Sequence, residues 1–67
     1  KSNYYKKLST REVEVLKLLS NGRRNKEIAE ELQINEKTVS TYRARLMKKL
    51  NVTNLIDLVN QAKSLDL

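Results

Sequence analysis

Cysteine and histidine are both absent from the 67 residues. Their absence excludes zinc fingers, disulfide scaffolds, thiol nucleophiles, thiolate or imidazole metal sites and any histidine-based acid–base mechanism. Proline is also missing and glycine occurs once, so little interrupts a helix. Aromatic and β-branched residues nowhere alternate over a strand's length, which leaves no strand candidate. No apolar run nears the roughly 18 residues of a membrane span, and nothing in these residues reads as a secretory h-region. A chain this short buries only about 60% of its unfolded surface, too little to surround a deep enzyme pocket. Neither cofactor nor metal is expected, and an all-α fold is.

What is abundant is positive charge: 14 Lys and Arg against 8 Asp and Glu give a net charge of +6. Lys1 stands where an initiator Met is not, and an excised domain is the favoured explanation. Residues 1–7 are polar and basic without an apolar period and read as a linker or N-terminal arm; residues 8–67 form one domain. Ser9 and Glu12 make a capping box, with Leu8 and Val13 as its hydrophobic staple. Val13, Leu16 and Leu19, with Val15 and Leu18, give an apolar face that Asn21-Gly22 ends, so a first helix is predicted at about 10 to 20. Asn25 is read as the N-cap of a second, about 26 to 32, in which Ile28, Ala29 and Leu32 recur at helical spacing. Asn35 caps a third, about 36 to 49, along which Val39, Tyr42, Leu46 and Leu50 hold one side. After Asn51, with Thr53 or Asn54 as cap, Leu55, Leu58, Val59 and Ala62 predict a fourth helix ending near Ser64.

Only about three residues separate the second helix from the third. Helices joined so closely cross sharply and make a helix-turn-helix, with Ala29 as the small residue at the crossing. Gln33 stands in the turn where Gly is often preferred. On a wheel of about 100° per residue, the side of helix three opposite its apolar stripe carries Lys37, Thr41, Ala44 and Lys48, flanked by Ser40 and Arg45. Small, hydroxyl and cationic side chains in a narrow strip suit a DNA major groove about 12 Å wide. After Glu36 that helix has no acid, yet it carries Lys37, Arg43, Arg45, Lys48 and Lys49. Arg23, Arg24 and Lys26 form a second basic cluster at the start of helix two, where a phosphate is favoured.

Leu8-Ser9-Thr10-Arg11-Glu12, Asn25-Lys26-Glu27-Ile28-Ala29, Thr38-Val39 with Tyr42, and Lys49-Leu50-Asn51-Val52 together resemble the LuxR/NarL-type (GerE-like) DNA-binding domain of bacterial transcription regulators. The resemblance spans about Leu8 to Ala62, and Thr38 to Tyr42 with Leu46-Met47 looks most like response regulators of the BvgA/EvgA group. It implies a four-helix domain that binds double-stranded DNA as a homodimer, in the bacterial cytoplasm, behind a receiver domain that would precede Lys1. RNA polymerase is a further candidate partner, and no membrane is. The resemblance implies base contacts from Lys37, Ser40 and Thr41, with Ala44 as a further one. Phosphate contacts are expected from Arg23, Arg24, Asn25, Lys26, Thr38, Arg43, Arg45 and Lys48. Helix four would meet the second copy through Ile56, Val59, Asn60 and Lys63. Three positions depart from the family: Ser40 stands where many members have Lys, Tyr42 where His is frequent, and Leu55 where Arg is frequent.

Plainer readings stand beside these. A basic helix face is often merely solvated, Thr38 could bond locally near its cap, and Tyr42 and Met47 fit the core edge. Tyr4 and Tyr5 beside Lys6 and Lys7 could stack on single-stranded bases, but a linker is the simpler account. Glu12 and Glu14 make no catalytic pair, because capping accounts for Glu12 and no nucleophile or metal ligand accompanies them. Two other classes remain open: a sigma-factor region-four domain, against which the arm and the apolar side of helix four argue, and a protein-interaction module whose basic helix meets an acidic partner.

Overall fold

In a computed structural model that describes residues 8–64, four helices follow one another: α1 (Thr10–Ser20), α2 (Asn25–Leu32), α3 (Glu36–Lys49) and α4 (Leu55–Ser64). The arm residues Tyr4, Tyr5, Lys6 and Lys7 lie outside the described residues. At the start of α1, Glu12 N–H donates to Ser9 Oγ at 3.1 Å and Ser9 N–H donates to Glu12 Oε1 at 2.8 Å, closing the expected capping box. Leu8 and Val13, the staple pair, line one shallow depression. Asn54, rather than Thr53, caps α4: its Oδ1 accepts from Asp57 N–H at 2.8 Å.

Three helices end in the same way. Arg23 N–H reaches Leu18 O at 3.0 Å, Ile34 N–H reaches Ala29 O at 2.9 Å and Val52 N–H reaches Met47 O at 2.9 Å, each wrapping back over a left-handed residue. Those residues are Gly22 at φ 84°, Gln33 at φ 58° and Asn51 at φ 58°. Glycine pays no steric penalty there and asparagine little, so the strained member is Gln33, in the joint between α2 and α3. Such a closure reverses the chain in two residues and sets the angle at which α3 leaves α2.

One correction concerns the start of α2. Asn25 is its first helical residue rather than its cap, and Arg24 holds the extended cap position, φ −86° and ψ 162°. Arginine has no side-chain acceptor to offer the first turn; Glu27 alone closes the end, accepting from Arg24 N–H at 2.8 Å. The Asn25 carboxamide is used elsewhere, between helices.

The core draws on every element: Val15, Leu16 and Leu19 from α1, Ile28 and Ala29 from α2, Val39 and Leu46 from α3, Leu50 at its end, and Leu58 and Ala62 from α4. α1 packs against both α3 and α4, and α2 packs chiefly on α3. Leu32, Ile34, Tyr42, Met47 and Val52 cover the edges half-buried. Leu55, which shares the apolar period of the fourth helix, is 40% exposed at the start of α4, where it borders a groove with Leu19 and Gly22.

Candidate nucleic-acid interface

α3 is sided by its sequence. Val39 and Leu46 are fully buried, while Lys37, Ser40, Thr41, Ala44, Arg45 and Lys48 are all exposed. From Lys37 to Lys48 this strip runs about 16 Å at the helical rise of roughly 1.5 Å per residue. It holds three cations, two hydroxyls, a methyl group and no acid. Asn35 opens the helix, accepting from Thr38 N–H at 2.7 Å and Thr38 Oγ1 at 2.9 Å. Thr38 is half-buried with its hydroxyl engaged in that local bond.

The cation supply is divided by contacts that lie far apart in sequence. Lys49, counted with the basic residues of this helix, turns the other way and donates from Nζ to Glu12 Oε1 at 2.7 Å. Burial pushes the Glu12 carboxyl up, but the Lys49 ammonium, the Ser9 amide and the Ser9 hydroxyl outweigh it and hold the group below its ordinary value. Glu12, the one buried charged side chain among the described residues, is thereby paired. Arg23 pairs with Glu31 at 2.6 Å, both side chains nearly half exposed. An exposed pair of this kind is worth about 0 to 1 kcal/mol, so a phosphate can exchange for the glutamate. Arg24 and Lys26 stay exposed beside it.

Asn25 connects the two helices. Its Nδ2 donates to Ser40 Oγ at 3.1 Å, and its Oδ1 accepts from Arg43 Nη1 at 3.2 Å. Half-buried Arg43 is thus drawn against the first turn of α2, next to the Arg23 and Arg24 cluster. This bridge and the Glu12–Lys49 pair escaped the sequence reading, since their partners lie 15, 18 and 37 residues apart.

On α4, Ile56 is 74% exposed, Asn60 and Lys63 are exposed, and Val59 is half-buried. All four share one side of α4. Leu55, Ile56, Val59 and Asn60 border a groove of about 510 Å³ whose far wall is Leu19, Gly22 and Arg43. Among the described residues no group of acids could hold a metal, and no helix is long and apolar enough to cross a membrane.

A short helix crossed by a longer one with a cationic, acid-free outward strip defines a helix-turn-helix DNA-binding module. The pattern of the bacterial regulatory proteins of the luxR family matches residues 6–62, and the chain belongs to that family. It is 52% identical over 56 residues to the transcription regulator BvgA of Bordetella pertussis, covering 84% of this chain and 27% of that protein. Against the response regulatory protein YgeK of Escherichia coli K12 the identity is 49% over 55 residues, 82% of this chain and 37% of the relative. The DNA-binding transcriptional activator EvgA of the same organism is 45% identical over 56 residues, 84% of this chain and 28% of its own length. The chain thus spans well under half the length of these relatives.

Proposed function

We propose that this chain is the output domain of a bacterial two-component response regulator, one that reads double-stranded DNA with α3 in the major groove and so controls transcription. The observation that carries the reading is the sidedness of α3: Lys37, Ser40, Thr41, Ala44, Arg45 and Lys48 all face solvent while Val39 and Leu46 are anchored in the core. Lys37, Ser40 and Thr41, in the first turns, and Ala44, further along, are assigned to base edges, the Ala44 methyl suiting a thymine methyl. Arg23, Arg24, Lys26, Arg43, Arg45 and Lys48 supply attraction to phosphates, with Asn25 and Thr38 beside them. The work is binding rather than chemistry.

Homodimerisation on DNA is part of the reading and is supported by the exposed Ile56, Asn60 and Lys63 on one side of α4. Two linked copies raise the effective concentration of the second half-site contact. A receiver domain ahead of Lys1, a cytoplasmic location and contact with RNA polymerase belong to the same proposal; the relatives' names as transcription and response regulators support it. The test is titration of duplex DNA at several salt concentrations. Each phosphate contact should lower log K by about 0.9 per tenfold salt, and a preference among sequences should persist once that attraction is screened. Binding without sequence preference at high salt would favour the protein-interaction reading instead.

A further inference from the structure

We infer that Asn25 is a positioning residue that fixes the hydrogen-bond polarity of the α3 strip, so that Ser40 donates to DNA and Thr41 accepts from it; this rests on the DNA-reading function proposed above. A hydroxyl normally serves either base partner, because it carries both a proton and lone pairs. Here the neighbours decide. The guanidinium of Arg43 can only donate, so the Asn25 atom it meets at 3.2 Å is the carbonyl oxygen. That settles the orientation of the carboxamide and turns its NH₂ to Ser40 at 3.1 Å. An amide nitrogen also only donates, so Ser40 Oγ accepts there and keeps its proton for an outside acceptor. One residue on, the constraint is opposite: Thr41 Oγ1 lies 3.1 Å from the carbonyl oxygen of Lys37, which only accepts, so the Thr41 proton is spent on the helix and its lone pairs face outward.

Base edges in the major groove answer these polarities. Guanine N7 and O6, adenine N7 and thymine O4 accept, while the amines of cytosine and adenine donate. Ser40 therefore favours an acceptor edge and disfavours cytosine, and Thr41 favours cytosine or adenine. An amine set against Ser40 can use only the oxygen's remaining lone pair and leaves the hydroxyl proton without a partner.

The experiment selects bound duplexes from a random pool with the wild-type chain and with Asn25→Asp, Ser40→Ala and Thr41→Val, after circular dichroism has established that each variant is helical. Ser40→Ala and Thr41→Val identify which base position each hydroxyl serves. At the Ser40 position the wild type should disfavour cytosine by about fivefold to tenfold, and at the Thr41 position it should favour cytosine or adenine by a similar factor. Asn25→Asp is the decisive variant. A carboxylate only accepts, so Ser40 must turn its proton inward and its lone pairs toward DNA, and the preference at its position should shift to cytosine or adenine. The added charge lowers affinity for all sequences alike and cancels in the base ratios. A preference that Asn25→Asp leaves unchanged, or cytosine favoured at the Ser40 position by the wild type, overturns the polarity assignment while leaving the DNA-reading function standing. No sequence preference in the wild type overturns both.

Discussion

Removing the Glu12 carboxylate perturbs two joints at once, and two substitutions separate them. In the wild type Glu12 Oε1 accepts from Ser9 N–H at 2.8 Å, closing the start of α1, and from Lys49 Nζ at 2.7 Å, tying α1 to the end of α3. Glu12→Gln keeps an acceptor for Ser9 but loses the charge. Because Lys49 is 37% exposed it can turn to water, so the cost is about 1 kcal/mol, below the roughly 1.5 to 3 kcal/mol of a bond to a charged group. Glu12→Ala loses both bonds and the cost rises to about 2 to 3 kcal/mol. For a domain of this size each kcal/mol lowers Tm by roughly 4 to 8 °C, so the alanine variant should lose about 8 to 24 °C. Thermal and urea unfolding followed by circular dichroism measures both. The pH dependence carries the sign. Glu12 titrates in the folded state below its ordinary value of 4.5, so its ionised form contributes stability that is complete above that value and is lost as pH falls through the folded pKa. The gap between wild type and Glu12→Gln should be full at neutral pH and should shrink below about pH 4.5. A gap that stays constant or widens in acid would mean that burial outweighs the ion pair, and the account of this joint would fail.

Gln33→Gly removes the strain of a left-handed glutamine, about 1 to 2 kcal/mol, against glycine's extra unfolded-state entropy of roughly half that; a rise of a few degrees in Tm is expected, and a fall would show that Gln33 is not strained. Lys48→Ala should weaken binding to all duplexes alike and reduce the salt slope by about 0.9, whereas Lys37→Ala should lose more on the preferred sequence than on others. Equal losses from both would refute the division between phosphate and base contacts. Ile56→Glu should leave stability within about 0.5 kcal/mol, since the side chain is 74% exposed, while weakening binding to paired half-sites more than to one. An unfolded Ile56→Glu chain, or equal loss on single and paired sites, would contradict the place given to that side of α4.

What the sequence makes legible here is whatever depends on neighbours within about four residues. The capping box at Ser9 and Glu12, the turn at Gly22 and the outward strip of α3 all follow from spacing, and the structure has them. Asn25 misled for a physical reason: asparagine is a strong cap by propensity, but here its carboxamide serves partners on α3 and Glu27 closes the helix instead. Lys49 counts among the basic residues of the third helix, but charge alone does not show direction, and its partner Glu12 lies on another helix. Leu55 fits the apolar period of α4 yet is 40% exposed, since periodicity gives the side of a helix and not how far its packing partner extends.

The most direct measurement is a map of backbone amide shifts in the isotopically labelled chain as a duplex selected from a random pool is added. The largest changes should fall at Lys37, Ser40, Thr41, Ala44, Arg45 and Lys48, with smaller ones at Arg24 and Lys26. Changes centred on Glu14 and Lys17 of α1, with the α3 strip unmoved, would contradict a groove-entering α3 and with it the gene-regulatory function.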